Sequence, residues 1–400
     1  MRIASVIVDD IEGLSSLLVG MEECTTHSRL FNPKPEGEHG ELHWLYVLDD
    51  HEVVFGCREG LIDALRKMDR AGAKAILLIV TCVPELIGED IEGIIHEVQS
   101  ELTARITFVM LGQFKNISYP PGSRKTIEAL ATLMEEKETD SSCIINVLGH
   151  SPEEDHIPTP FLLSELERHG FVLRYLAPGA SLKDFQSGPD AVLNLVVSPY
   201  THPLAVKMEK EFGVPYIALH NLYDVEDIER AYDDIAKCLD FYWDNEFEEE
   251  RKEALTLQLQ AQEKLRGLRY VLSLRIDVPI PLAEYLIRLG MEPLLLHLEE
   301  YYPEDKDYIQ KIMSKGYNPL ICRMVNQEAD LSVLEKLSPD LCFGYLSYTN
   351  KTISCVPDMF DFYGQVGYNR TINLLRRVLN VLNEMNTSKK GDIKYGSTSF

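Results

Sequence analysis

Three of the eight cysteines stand where soft thiolate chemistry could be assembled. Cys24 follows the apolar run LSSLLVG, Cys57 ends EVVFGC, and Cys82 ends AILLIVTC. Each is expected where a strand gives way to a loop or helix. Parallel strands place such ends on one edge, so the three sulfurs can converge although they are far apart in sequence. A helix N-terminus lowers a thiol toward its ligating form, and cysteine thiolates are the standard ligands of iron-sulfur clusters. No CxxC pair occurs to give a fixed zinc or redox motif. The same residues also fit a plainer reading, as small buried hydrophobes at the top of a sheet. Cys143, Cys238, Cys322 and Cys342 read as core. Cys355, in TISCVPD, reads as lying outside any strand and facing a cleft.

Histidines offer a second kind of chemistry. His150, Asp155, His156, His202 and His220 fall near expected strand ends, where they could line a substrate cleft and supply protons. No two share a diagnostic spacing. His202 and Tyr200, in SPYTHP, are the candidates for substrate contact, with a hydrogen-bonded structural histidine as the alternative. His27 and Arg29 lie just beyond Cys24, where they could tune or shield a bound cluster, although a loop histidine beside an arginine is more often merely solvated. Lys34, Arg58, Arg66, Lys67 and Arg70 form a basic group near the cysteines, suited to an acidic partner surface.

The elements that must position these residues alternate regularly. Strand-like EVVFG, AKAILLIVT and RITFVML are separated by amphipathic stretches such as REGLIDALRKMDRAG. CIINVLGH, FVLRYL, AVLNLVVS and GVPYIALH repeat the pattern. A long connecting helix through DNEFEEERKEALTLQLQAQEKLRGL leads to a third set, RYVLSLRI, EPLLLHL and DLCFGYL, closed by a terminal helix and a polar, mobile tail. This βαβ alternation predicts an α/β fold of three Rossmann-like units with parallel sheets flanked by helices. The expected boundaries are 1–140, 141–245 and 246–400, with ligands outside the carboxyl ends of strands where strand order reverses.

Composition narrows the function. The chain has 400 residues, of which 45% are hydrophobic and 26% charged, so disorder is excluded for its bulk. The net charge of -25 repels phosphate backbones and anionic lipid, so neither nucleic acid nor membrane is an expected partner. The acidic N-terminus MRIASVIVDDIEG does not resemble a secretory signal, and no run approaches a membrane span, which together predict a cytoplasmic location. Neither GxGxxG nor GxxxxGK[ST] occurs, so the chain is not expected to hydrolyse ATP itself.

TCVPELIGEDI, from Thr81 to Ile91, resembles the TC-x-x-x-x-IG-[DE]-D-[IL] signature of the nitrogenase component 1 family. EVVFGC is similar to that family's VFGG segment and GMEECTTHSR to its GC-x-x-x-x-R segment. NLVVSPYTHPLAVKMEKEFGVPYI and FYGQVGYNRTINLLRRVL resemble its middle-domain and terminal GY stretches. The resemblance implies three Rossmann-like domains around a cleft. It also implies cluster ligands at Cys24 and Cys82, at an interface between two chains. Cys57 stands where many members have glycine. The related dark-operative protochlorophyllide reductase takes three cysteines from one subunit for a 4Fe-4S cluster, which makes Cys57 the expected third ligand and a partner chain the source of the fourth.

Departures from the family pattern matter as well. Ser198 stands where the nitrogenase alpha chain has the cysteine that holds the iron-molybdenum cofactor. The family's histidine ligand would fall near Pro357, and no histidine follows His297. A hydroxyl is a poor ligand for soft iron, so no iron-molybdenum cofactor and no dinitrogen reduction are expected. The chain also begins too close to Cys24 to carry the family's earlier N-terminal cysteine. The resemblance thus implies an oxidoreductase subunit with a 4Fe-4S cluster on Cys24, Cys57 and Cys82. Its partners would be a homologous chain, as homodimer or heterodimer, and an ATP-dependent iron protein that delivers electrons. The alternatives are a non-catalytic scaffold that assembles or transfers a metal cluster or tetrapyrrole, and a cluster-free ligand-binding protein.

Overall fold

The computed structural model describes residues 11–24, 34–112, 122–135, 143–151, 158–177, 179–273, 276–298, 301–322, 327–344, 353–357 and 359–394. The chain divides into two compact units, one of residues 1–154 and 166–217, the other of residues 155–165 and 218–400.

The first unit opens with β1 (Ile11–Glu12), β2 (Leu14–Gly20) and β3 (His43–Val47). There follow α1 (Asp50–Phe55), α2 (Arg58–Arg70), β4 (Ala75–Val80), α3 (Cys82–Ile87), α4 (Ile91–Gln99), β5 (Arg105–Met110) and α5 (Gly122–Leu130). These strands form a parallel sheet in the order β3-β2-β4-β5. Every residue of β2 and β4 is buried, as parallel strands covered on both faces require. On one face, Leu61, Leu65 and Met68 of α2 pack with Leu17, Val19, Ile76 and Leu78. That helical spacing gives one apolar stripe.

The opposite face joins a second sheet. The chain runs on through β6 (Ile144–Leu148), α6 (Phe161–Arg168, whose first five residues are assigned to the other unit), β7 (Val172–Leu176), β8 (Ala180–Ser181), α7 (Leu182–Gln186), β9 (Leu193–Val196), α8 (His202–Phe212) and β10 (Tyr216–Ala218), and this sheet has the strand order β10-β9-β6-β7. Leu18, Leu77 and Ile79 of the first sheet share one apolar core with Leu148, Leu176 and Val196 of the second, and Ile127 and Leu204 fill the space between. β1 pairs in parallel with β8, Ile11 opposite Ala180. The first two sheets therefore belong to a single packed body.

The second unit contains α9 (Val225–Cys238), α10 (Glu248–Leu265), β11 (Arg269–Leu272), α11 (Pro279–Arg288), β12 (Glu292–His297) and α12 (Asp305–Ser314). It continues through β13 (Leu320–Cys322), α13 (Gln327–Leu337), β14 (Leu341–Phe343), β15 (Ser354–Val356) and α14 (Tyr368–Lys394). The five strands are parallel, in the order β13-β12-β11-β14-β15. Tyr270, Leu286, Leu296, Phe343, Leu374 and Val378 anchor the core. α10 buries only Ala254, Gln258, Ala261 and Leu265, a narrow stripe against α14 that explains its polar sequence. Gln258 is kept satisfied there, accepting from the Tyr285 hydroxyl at 3.1 Å and the Val225 amide at 3.3 Å. The fold is α/β, with parallel sheets flanked by helices. Among the described residues no helix is long and apolar enough to cross a membrane.

Several local expectations are corrected. EVVF is helix α1 and not a strand. Asp49 accepts from the Glu52 amide at 2.8 Å while Glu52 accepts from the Asp49 amide at 3.1 Å. This reciprocal cap starts a helix that outweighs the β preference of two valines and a phenylalanine. The strand is HWLYV instead, in register with β2 from Ser16–His43 to Gly20–Val47. Cys143 and Cys238, expected in the core, are exposed just before β6 and at the end of α9. Cys355 lies on strand β15. The polar terminal stretch continues α14 as far as Lys394.

The Asp49 cap should be measurable. Asp49→Ala is expected to cost about 1 kcal/mol of local stability, a roughly fivefold faster hydrogen exchange at the Val53 and Gly56 amides, which bond to Asp49 and Glu52 carbonyls. Unchanged protection at both amides would show that the cap does not hold the helix.

Candidate metal centre

In the first sheet the chain leaves β2 toward β3 on one side, whereas β4 and β5 lie on the other. Adjacent strands whose connections depart in opposite directions leave a crevice at their carboxyl ends, the usual ligand position of an open α/β sheet. Cys24 and Cys82 occupy the two ends that flank this crevice. Residues 22–24 form a helical turn just beyond β2, and Cys82 is the first residue of α3, directly after β4. α3 starts at Cys82 with Pro84 inside its first turn, where proline lacks only an N–H that the first helical turn leaves unpaired in any case.

Close approach of the two ends depends on a glycine. A Cβ on Gly20 would collide with the Thr81 hydroxyl, while the Thr81 amide donates to the Val19 carbonyl at 3.0 Å. Thr81 is fully buried, and among the described residues its hydroxyl finds no nitrogen or oxygen partner. Its polar neighbour is the Cys24 sulfur, whose thiolate it favours. Burial raises the Cys24 thiol most, the adjacent Cys82 sulfur next, and the Thr81 contact works against both. The Cys24 thiol is thus raised at a position that adjoins a second sulfur. Neither Gly20 nor Thr81 was expected from cysteine spacing alone, although the TC pair of the motif and a glycine at the end of an apolar strand carried the signal.

Cys57 has a different environment. The helical EVVF segment carries it off the strand edge to the start of α2, where it is 1% exposed and packs with Leu48, Leu61 and Ile62. Its amide donates to Glu89 Oε2 at 2.7 Å. Burial pushes its thiol up to about 12, with Glu89 and then Glu52 adding to the effect. Gly56, at φ +92°, allows Glu89 to lie this close, since a Cβ there would sit 2.9 Å from the carboxylate. Cys57 is therefore not at a strand end, and its surroundings favour a neutral thiol over a thiolate.

The second sheet has its own crevice, between β6 and β9. Gly149, at φ +89°, follows β6, and a side chain there would collide with Ser198. Ser198 is buried and its hydroxyl accepts from the Tyr200 amide at 3.4 Å, while the Thr201 hydroxyl donates to its carbonyl at 3.0 Å. His202 begins α8, with Nε2 3.4 Å from the Tyr216 hydroxyl. Tyr200 is half-buried in the turn between Ser198 and His202. His150 is fully buried, with its ring edge-on to Tyr175 at 6.0 Å. His220 belongs to the second unit, where its carbonyl accepts from Arg370. His27, Arg29, Asp155 and His156 lie outside the described residues.

The surface around the cysteines is apolar more than basic. Arg58 pairs with Glu97, Arg66 with Glu101 at 2.6 Å, Lys67 with Asp63 at 2.7 Å, and Lys34 with Glu38 at 3.5 Å. The expected basic surface is thus largely matched by acids of the same chain. By contrast, Val54 and Phe55 of α1 are 71% and 75% exposed, and Leu86 and Ile87 are exposed on the neighbouring α3.

A thiol raised in the fold contributes stability that is present below the ordinary value of 9.0 and lost as pH climbs toward about 12. Cys57 should accordingly resist iodoacetamide at pH 9 in metal-free protein. Glu89→Gln should speed its labelling several-fold by removing the adjacent negative charge, as read by peptide mass mapping. Equal labelling in both forms would show that Glu89 does not control the thiol.

Relatives of the chain are recognisable at low identity. It is 26% identical over 285 residues to the nitrogenase iron-molybdenum cofactor biosynthesis protein NifE of Clostridium pasteurianum, covering 67% of this chain and 60% of that protein. It thus spans less than two thirds of that relative's length. The nitrogenase molybdenum-iron protein alpha chain of the same organism is 26% identical over 272 residues, covering 62% of this chain and 49% of that one. A light-independent protochlorophyllide reductase polypeptide of Physcomitrium patens is 23% identical over 191 residues, covering 43% of this chain and 36% of that one. Among solved structures, nitrogenase Cp1 at pH 6.5 aligns with a TM-score of 0.70 and 16% identity, covering 96% of this chain and 92% of that one, which is a likeness of fold. The model of the nitrogenase component 1 type oxidoreductase family matches residues 1–383, and the chain belongs to that family.

Proposed function

We propose that this chain is a component 1-type subunit that holds a 4Fe-4S cluster through Cys24 and Cys82 and passes electrons from an ATP-dependent iron protein to a substrate. The observation that carries this reading is the crevice between β2 and β4. Two sulfurs flank it; burial and the adjacent Cys82 sulfur raise the Cys24 thiol, and the buried Thr81 hydroxyl works against that rise. A thiophilic cationic centre relieves that repulsion, so the donor set fits an iron-sulfur group. Such a group, when bound, supplies one-electron transfer.

The protein's own contributions follow from its residues. Gly20 and Thr81 bring the strand ends together, and the Thr81 hydroxyl stabilises a ligating thiolate at Cys24. Cys57 stays protonated beside Glu89 and braces the start of α2 against the sheet, which departs from a three-cysteine set. Two ligands from one chain leave two for another. A second copy, or a homologous chain with equivalent cysteines, completes the four thiolates of a 4Fe-4S site. The exposed Val54, Phe55, Leu86 and Ile87 give that chain an apolar surface to cover. In the second crevice, Ser198 is occupied in capping its own turn and offers no soft ligand, which argues against an iron-molybdenum cofactor there. We assign substrate contact in that crevice to His202 and Tyr200.

A second reading, an assembly scaffold, draws support from the relative named as a cofactor biosynthesis protein. The two readings differ in turnover. A reductase oxidises reduced iron protein continuously in the presence of its substrate, whereas a scaffold transfers its cargo once.

Anaerobically purified protein should be coloured and dimeric. Cys24→Ser and Cys82→Ser should each lose most of the iron and the paramagnetic resonance signal of the reduced cluster, with Cys57→Ala retaining both. Full iron in the Cys82→Ser form would overturn the ligand assignment. Phe55→Asp should shift the light-scattering mass toward the monomer and lose iron with it. A stable cluster on a monomer would refute the shared site.

A further inference from the structure

Cys342 and Cys355 occupy the middle positions of β14 and β15, and they are register partners on these adjacent parallel strands. Register partners point to the same face of a sheet, and strands about 4.8 Å apart place the two Cα atoms within the roughly 4.4–6.8 Å that disulfides span. Leu341, Phe343 and Val356 alternate with them and supply the apolar core of the second unit. The two sulfurs are therefore left side by side on the other face. Both are free thiols. Cys342 is fully buried, with its sulfur 3.9 Å from the Phe343 carbonyl oxygen. Cys355 is half-buried on the outer strand of the sheet, with its sulfur 3.8 Å from the Gly344 carbonyl oxygen.

We propose that Cys342 and Cys355 are a redox-active dithiol that closes to a disulfide by exchange with a low-molecular-weight disulfide such as oxidised glutathione. The inference is independent of the cluster reading, since neither residue belongs to the first sheet. Their roles differ. A hydrogen bond from the Cys342 thiol pulls Cys355 down and, with burial, pushes Cys342 up. Cys355, the more accessible of the two, is then the attacking sulfur.

The exchange balances in two steps. The Cys355 thiolate attacks one sulfur of oxidised glutathione, breaking its S–S bond, forming a mixed disulfide and releasing one glutathione thiolate, which takes up a proton. Cys342 then loses its proton to solvent and attacks the Cys355 sulfur, forming the Cys342–Cys355 bond and expelling the second glutathione. Two protein thiols are oxidised by two electrons, and one glutathione disulfide is reduced to two thiols. β15 is three residues long and, among the described residues, stands at the edge of the sheet, so it can draw toward β14 as the bond forms.

The test uses the full-length, reduced protein incubated with oxidised glutathione, quenched with an alkylating agent and mapped by mass spectrometry without reduction. The expected result is a Cys342–Cys355 linked peptide, with both thiols lost at the same rate. In Cys342→Ala, Cys355 should accumulate as a stable glutathione adduct. The wild-type map decides the matter even if that variant does not fold. Complete glutathione adducts at the exposed Cys143 and Cys238, with Cys342 and Cys355 still alkylated as free thiols, would overturn the proposal. So would a lasting adduct on Cys355 beside a free Cys342 in the wild type.

Discussion

The pairing of β2 with β4 is the constraint on which the candidate site rests. Their hydrogen-bonded register runs from Leu14–Ala75 to Val19–Val80, and it fixes where the two chains emerge. Because the connections then diverge, the backbone itself opens a crevice, and the residues just past Gly20 and Val80 must flank it. Cys24 and Cys82 are those residues. Sterics tighten the arrangement further, since only glycine at position 20 lets Thr81 close the gap. A buried, rigid sheet therefore does what the separation of the cysteines in sequence could not.

The electrostatics of the two kinds of cysteine follow from this geometry. Cys24 suffers from burial and from a second sulfur, a penalty that a bound cation removes. Cys57 suffers from burial and from carboxylates, a penalty that a proton removes. The same residue type thus meets a second sulfur in one place and carboxylates in another. Cys342 and Cys355 show a third outcome, in which each thiol's principal polar neighbour is the other.

The two crevices of the first unit share a design in which a glycine after one strand permits close contact with a polar residue after its neighbour. Gly20 meets Thr81 in the first, and Gly149 meets Ser198 in the second. Cysteines flank only the first. The second presents hydroxyls and imidazoles, groups suited to hydrogen bonding and proton transfer more than to soft metals. Within one family, the side chains placed at such switch points set the chemistry while the sheets stay the same.

The sequence by itself determined the fold class, most strands and helices, and the family, because hydrophobic periodicity and a contiguous motif such as TCVPELIGEDI are local properties of the chain. It also singled out Cys24 and Cys82, which sit next to long apolar strands. It misplaced Cys57, since a capping box formed by Asp49 and Glu52 decided that EVVF is helical, and that exchange of hydrogen bonds outweighs β-propensity. It read Cys342 as core, as its burial bears out, but placed Cys355 outside any strand, because the pairing of two strands distant in sequence is invisible in either strand alone. Those assignments needed the tertiary structure, for the physical reason that a thiol's protonation, partner and exposure depend on which groups from distant parts of the chain are folded against it.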